Sequence, residues 1–195
     1  MNNMKSGLSI AIAALALLTS LSLAQTPVSA TSSDWKTIVQ NRLPLYGHRN
    51  WIVVSDSTFP AYAEPGIETI VVNEDLPSVL MYVAHAISSS RHVRTTVFLD
   101  QELQFIDEHD YPGATELRSQ IAAEFAKEQI SSMPHADVMN RIDQSGKTYR
   151  ILFIKTTATI PYTSVFMRLD CGYLSDEVER KIRTAMATAD NRQPK

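Results

Sequence analysis

The stretch Gly47-His48-Arg49-Asn50-Trp51-Ile52-Val53-Val54-Ser55-Asp56-Ser57-Thr58-Phe59-Pro60 decides the fold. Residues 51–54 form an apolar run of strand length and strand composition, a short buried strand between two turns. A glycine and a histidine precede it, an acid follows it, and Pro60 stops any continuation. His48 and Asp56 are separated by the length of that strand, which rises about 3.3 Å per residue. Within one chain they therefore stand at its opposite ends. They share a site only if neighbouring segments, or a neighbouring subunit, bring groups together.

Working outward, Ser32, Ser33 and Asp34 offer N-caps for a helix whose inward face is Trp35, Ile38, Val39 and Leu43; Pro44 and Gly47 end it. On the other side, Pro65-Gly66 marks a turn and the β-branched residues 67–72 read as a second strand. Asp75 caps a helix beginning near Pro77, with Leu80, Val83, Ala84 and Ile87 buried. Residues 93–99 are a third strand ending in Asp100, followed by a polar segment with a Pro-Gly turn. Helical spacing of Leu117, Ile121, Phe125 and Ile130 predicts one long helix over 114–131. A short helix runs from Pro134-His135 through Ile142, with a turn over 144–147. Residues 149–154 and 165–169 are the last strands. Ser175, Asp176 and Glu177 cap a final amphipathic helix with Val178, Ile182 and Met186 facing inward. Strands alternating with helices predict a three-layer α/β/α domain over 31–190 with a mixed, mostly parallel sheet. The last two strands are joined by about ten residues, too few for an easy parallel crossover, so an antiparallel pair is expected near the C-terminus.

The chain has 195 residues, 44% hydrophobic and 20% charged, enough for one domain with its own core. A net charge of −3 gives no nucleic-acid footprint. Residues 1–30 read as a secretory signal peptide: Lys5, an apolar stretch over 8–18, and small-x-small cleavage points after Ala24 or Ala30. The apolar stretch is shorter than the roughly 20 residues of a membrane span. The mature protein is therefore expected to be exported, periplasmic or secreted, with no membrane attachment after cleavage. Its single cysteine, Cys171, excludes an intrachain disulfide and reads as a small buried residue. Residues 191–195 read as a frayed tail.

There is no GxSxG, no phosphate-cradling glycine loop and no HExxH, and the five histidines lack metal-ligand spacing. No cofactor and no metal are expected. His48 is the leading group for proton transfer, because histidine donates and accepts near neutral pH; read locally, it also fits a turn histidine bonding backbone. Asp56 ends a strand where ligands gather in open α/β sheets, and equally fits an Asx turn with Ser57 or Thr58. Tyr162, between Pro161 and Thr163-Ser164, offers a phenol and backbone groups to a polar ligand, or is a strand-edge aromatic. His135 lies at an exposed helix start; His85, His92 and His109 read as bland.

Gly47-His48, the strand and 55–60 together resemble the opening signature of the D-ribose pyranase / L-fucose mutarotase (RbsD/FucU-like) family. Ile154-Lys155-Thr156 and Pro161-Tyr162-Thr163-Ser164 resemble its closing signature, in the same order and separation. The resemblance spans residues 35–169. It implies a small α/β protein that interconverts ring forms or anomers of a free monosaccharide by acid/base catalysis, without cofactor. It also implies a ring-shaped homo-oligomer, commonly a decamer, with sites between subunits. The family's proton-donating histidine falls on His48, its sugar-binding aspartate on Asp56, its tyrosine-x-asparagine contact on Tyr162, Thr163 and Ser164, and a further sugar-site residue on His135. Three positions depart from the family pattern: Thr157 replaces glycine, Ala158 replaces glutamate and Ser164 replaces asparagine. A final helix also extends past the family's usual end. These departures keep a second reading open, a non-catalytic carbohydrate-binding protein on the same fold.

Overall fold

The computed structural model describes residues 28–29, 32–125 and 130–190. The expected leader, both cleavage points and the tail 191–195 lie outside the described residues, Val28 and Ser29 excepted. Seven strands form one sheet: β1 Val28–Ser29, β2 Trp51–Ser55, β3 Ile67–Val71, β4 Val93–Asp100, β5 Ile130–Met133, β6 Ile151–Lys155 and β7 Val165–Cys171. The helices are α1 Ser32–Arg42, α2 Leu76–Ser88, α3 Ala114–Glu124, α4 His135–Gly146 and α5 Asp176–Asp190. Strand order is β1-β3-β6-β2-β7-β4-β5. All neighbouring pairs are parallel except those of β7, which runs antiparallel to β2 and to β4. The expected antiparallel element near the C-terminus is thus β7, inserted into an otherwise parallel sheet.

Helices cover both faces, as the continuous apolar run of β2 requires. Ile52, Val54, Leu152, Ile154, Val165 and Met167 face one way, onto Trp35 and Val39 of α1, Val79, Leu80 and Val83 of α2, and Leu117 and Ile121 of α3. Val53, Phe153 and Phe166 face the other way, onto Val138 and Ile142 of α4 and onto Phe59 in the loop after β2. The period-two alternation of strand side chains produces this division. Asp75 caps α2 as expected, accepting from Ser78 N at 2.8 Å.

Three expectations are corrected. The helix over 114–131 stops at Glu124, and 130–133 is instead β5, paired in parallel with residues 97–100. Ladder hydrogen bonds to β4 outweigh a helical pattern that Ile130 continued only by coincidence. The turn over 144–147 is still helical up to Gly146, so α4 runs past Ile142. Val178, Ile182 and Met186 do not face inward: they are 46%, 48% and 62% exposed. α5 carries its own i,i+4 pairs, Glu177–Lys181 and Glu179–Arg183, and an ion pair from Asp176 to Arg94, and among the described residues nothing covers its apolar stripe.

Candidate active site

Five elements converge on one rim of the sheet. β2 and β4 end there in Ser55-Asp56 and Asp100; β5 ends there and passes through Pro134 into His135, the first residue of α4. β7, running the other way, starts there after Tyr162-Thr163-Ser164. Because β7 lies between β2 and β4, Ser164 stands between Asp56 on one side and Asp100 on the other. Carboxyl-end rims of parallel strands are where open α/β sheets take ligands.

The loops of this rim are tied across about a hundred residues of sequence. Thr156 N and Oγ1 both donate to Ser55 O, at 2.9 and 2.8 Å. Ser57 N donates to Ala158 O at 2.8 Å, and Lys155 Nζ donates to Phe59 O. Ser164 Oγ donates to Asp56 Oδ2 at 3.1 Å and accepts from Asp56 N at 3.4 Å. Asp56 Oδ1 accepts from Thr58 N and Oγ1 at 2.9 and 2.7 Å, so the aspartate does form the Asx turn. Asp56 is accordingly a buried, well-anchored carboxyl, 7% exposed.

Beside it, His135 Nδ1 lies 3.0 Å from Asp100 Oδ2. The backbone N–H of His135 donates to both carboxylate oxygens of Glu102, at 3.1 and 3.0 Å. Its ring packs T-shaped against that of Tyr162, centroids 5.4 Å apart at 78°. Tyr162 holds a left-handed backbone, φ 59°, rare for a residue with a side chain; such strain concentrates at functional sites. Asp100 is 1% exposed, and Oδ1 accepts no hydrogen bond from the protein. Burial pushes its carboxyl up to about 6, an effect that the hydrogen bond and charge of His135 oppose and the nearby Glu102 and Asp56 reinforce.

Residues 39–172, more than half of the chain, match the model of the RbsD / FucU transport protein family. The chain belongs to the RbsD/FucU family. Among curated proteins none matches it. Bacillus subtilis RbsD complexed with D-ribose is 16% identical, with a TM-score of 0.50, covering 77% of this chain and 100% of that one. The fucose mutarotase of Streptococcus pneumoniae in complex with L-fucose is 16% identical over 74% of this chain and 94% of its own, TM-score 0.47. FucU from Bifidobacterium longum is 14% identical over 69% and 92%, TM-score 0.47.

In this RbsD/FucU chain, Asp56, His135, Tyr162, Thr163 and Ser164 all lie on the one rim. Thr163 is buried, its hydroxyl donating to Ile160 O at 2.8 Å. His48 is on the other rim, exposed in the turn before β2, with Asn50 N closing that turn on Gly47 O. The bland histidines have structural surroundings: the His92 ring contacts Leu43 O and Tyr46 O at 3.1 Å, and His109 is 94% exposed. Asp100 and Glu102 are the rim residues that sequence reading missed as site groups. Their only signal is an acid at a strand terminus, the same cue that singled out Asp56. α5 lies wholly beyond the family match. Among the described residues no group of His, Cys, Asp and Glu is arranged to hold a metal, and no helix is long and apolar enough to cross a membrane.

Proposed function

We propose that this protein interconverts ring forms or anomers of a free monosaccharide by general acid/base catalysis, without a cofactor. The observation that carries the reading is the convergence of Asp56, His135 and Tyr162 on one rim in a chain of the RbsD/FucU family. The relative whose fold it shares was determined with D-ribose bound. Opening a hemiacetal needs one proton delivered to the ring oxygen and one removed from the anomeric hydroxyl, and closure reverses both. Asp56, Tyr162 and the backbone around Thr163 and Ser164 supply polar groups for sugar hydroxyls. Ser164 contributes through Asp56, since its hydroxyl is already engaged there.

His48 is the proposed proton donor, delivered by a second copy of the chain. Eight residues of extended backbone, roughly 26 Å, separate it from Asp56 within one chain. Head-to-tail assembly would place it over a neighbour's rim. Charge bears on that contact: Arg49 and Arg150 flank the rim of His48, while Asp56, Asp100 and Glu102 outnumber Lys155 on the other. The homo-oligomer and its size, a ring or decamer, are part of the same proposal, as is export. β1 would survive cleavage after Ala24 and be lost on cleavage after Ala30, which favours the earlier point.

The test is NMR magnetisation exchange between sugar forms on the mature protein with D-ribose, L-fucose, galactose and glucose in turn, with light scattering on the same sample. Accelerated exchange that disappears in His48→Ala, in an oligomer, is the expected result. Retained acceleration in that variant would sink the role of His48, and a monomer would sink the shared site. One observation favours the second reading, a non-catalytic carbohydrate-binding protein: Ala158 offers no acid and Ser164 no free hydroxyl on this rim. Calorimetric sugar binding without faster exchange would support it.

A further inference from the structure

We infer that Asp100 and His135 form a proton-transfer pair, in which His135 takes the proton from the anomeric hydroxyl and Asp100 is the positioning residue behind it. The inference rests on the sugar-interconversion reading and assigns the half of the chemistry that His48 leaves undone.

The geometry has three parts. Asp100 is almost wholly out of water at the end of β4, and a carboxylate in that position requires a partner. His135 supplies one through Nδ1 at 3.0 Å. The charged groups acting on Asp100 are His135, Glu102 and Asp56, and only His135 among them can be positive. An ionised carboxylate accepts but does not donate, so Nδ1 carries the ring proton and Nε2 keeps its lone pair. The buried acid therefore fixes the tautomer, as an acid behind a catalytic imidazole must.

The second part is rigidity. The backbone of His135 is pinned by Glu102 through two contacts, and its ring is packed edge-on to Tyr162, itself held in a left-handed conformation. The third is access. The His135 side chain is 37% exposed against 1% for Asp100, so the imidazole stands between the buried acid and the open rim beside Asp56. By contrast His48, on the other rim, makes no hydrogen bond among the described residues, and none of them selects a tautomer for it.

The step balances without a co-reactant. Nε2 of His135 removes the proton of the anomeric hydroxyl; the electron pair of that O–H becomes the second bond of the carbonyl. The bond from the anomeric carbon to the ring oxygen breaks, and its electron pair stays on the ring oxygen, which takes a proton from the neighbour's His48. Closure onto either face of the carbonyl runs the transfers backwards and restores both histidines.

The experiment uses the full mature protein with D-ribose as probe, in two readouts. Long-range 1H–15N spectra of histidine-labelled protein report the His135 tautomer without any sugar; Nδ1–H is expected in the wild type and a mixture in Asp100→Asn. Magnetisation exchange at high and low ribose reports catalysis. His135→Gln is expected to lose about 100-fold or more of the exchange rate, in the range of a lost general base. Asp100→Asn should lower the limiting rate with little change in the half-saturating ribose concentration. Asp100→Glu should restore part of the rate. A purely structural Asp100 would lower the rate and leave His135 as the Nδ1–H tautomer in Asp100→Asn. An inactive wild type overturns the functional reading. An active wild type whose His135→Gln variant keeps its rate within about twofold, or whose His135 is the Nε2–H tautomer, overturns only the role given to the pair.

Discussion

Replacing Asp100 by asparagine isolates what it costs the fold to keep a carboxyl at this position. The group is 1% exposed and its carboxyl is raised from the ordinary 3.8 to about 6, chiefly by burial. A folded-state value above the unfolded one means that the protonated form is favoured by folding. The stability that this contributes is fully present below about pH 4 and is lost as pH rises through about 6. A shift of two units at about 1.36 kcal/mol each amounts to about 3 kcal/mol. Part of it is already lost at pH 4, so the wild type should weaken by about 2 kcal/mol, relative to Asp100→Asn, between pH 4 and pH 7. The absolute offset between the two proteins is not diagnostic, since the asparagine amide also needs partners; the pH dependence is. Urea midpoints at half-unit pH steps and a fixed protein concentration measure it, with the slope m confirming that the unfolding transition is unchanged. Two curves that stay parallel from pH 4 to 7 would refute the reasoning. In that case the hydrogen bond and charge of His135 would offset the whole cost of burying the carboxylate, and Asp100 would be ionised across this range.

Other perturbations test the fold. A Cβ on Gly66 would sit 2.4 Å from Gly146 O and 2.9 Å from Tyr149 O, both backbone, so Gly66→Ala should cost about 1–3 kcal/mol and lower the melting temperature. Phe153 is fully buried and stacks on Phe59 at 4.9 Å and Tyr62 at 5.3 Å, so Phe153→Ala should cost about 3–5 kcal/mol in urea unfolding. Ile182→Ser with Met186→Ser should change stability by less than about 0.5 kcal/mol each, as surface substitutions do; a larger, concentration-dependent loss would mean that another copy covers the stripe.

Much of this architecture is legible in the sequence because strands and caps are local. β2, β3, β4, β6 and β7 each announce themselves as apolar or β-branched runs, and Asp75 signals its helix by a side-chain hydrogen bond three residues long. β5 is not legible. Ile130, Ser131, Ser132 and Met133 are strand only because β4 offers a free edge, which no window of sequence contains. The α5 stripe fails for a related reason. Amphipathic spacing says that a face seeks apolar cover, not that the same chain provides it. In the site, Asp56, Tyr162 and Ser164 are readable from their signatures. Asp100 is not, because its meaning depends on His135, 35 residues away and two steps beyond a strand whose existence was itself missed.

The sheet order explains why the site needs both signatures and why one chain is expected to be insufficient. β6 lies beside β2, so the loop after β6 bonds directly to the loop after β2, and Ala158 meets Ser57. β7 lies on the other flank of β2 and runs backwards, so it opens at the rim where β2 closes, and Ser164 meets Asp56. Had β7 been parallel, Tyr162 and Ser164 would stand on the rim of His48 instead. One strand reversal thus gathers Asp56, Tyr162 and Ser164 at the carboxyl end. The same β2 that delivers Asp56 to that end necessarily carries His48 to the other. The proposed use of both groups therefore calls for a second copy of the chain, stacked head to tail, to bring its His48 to this rim.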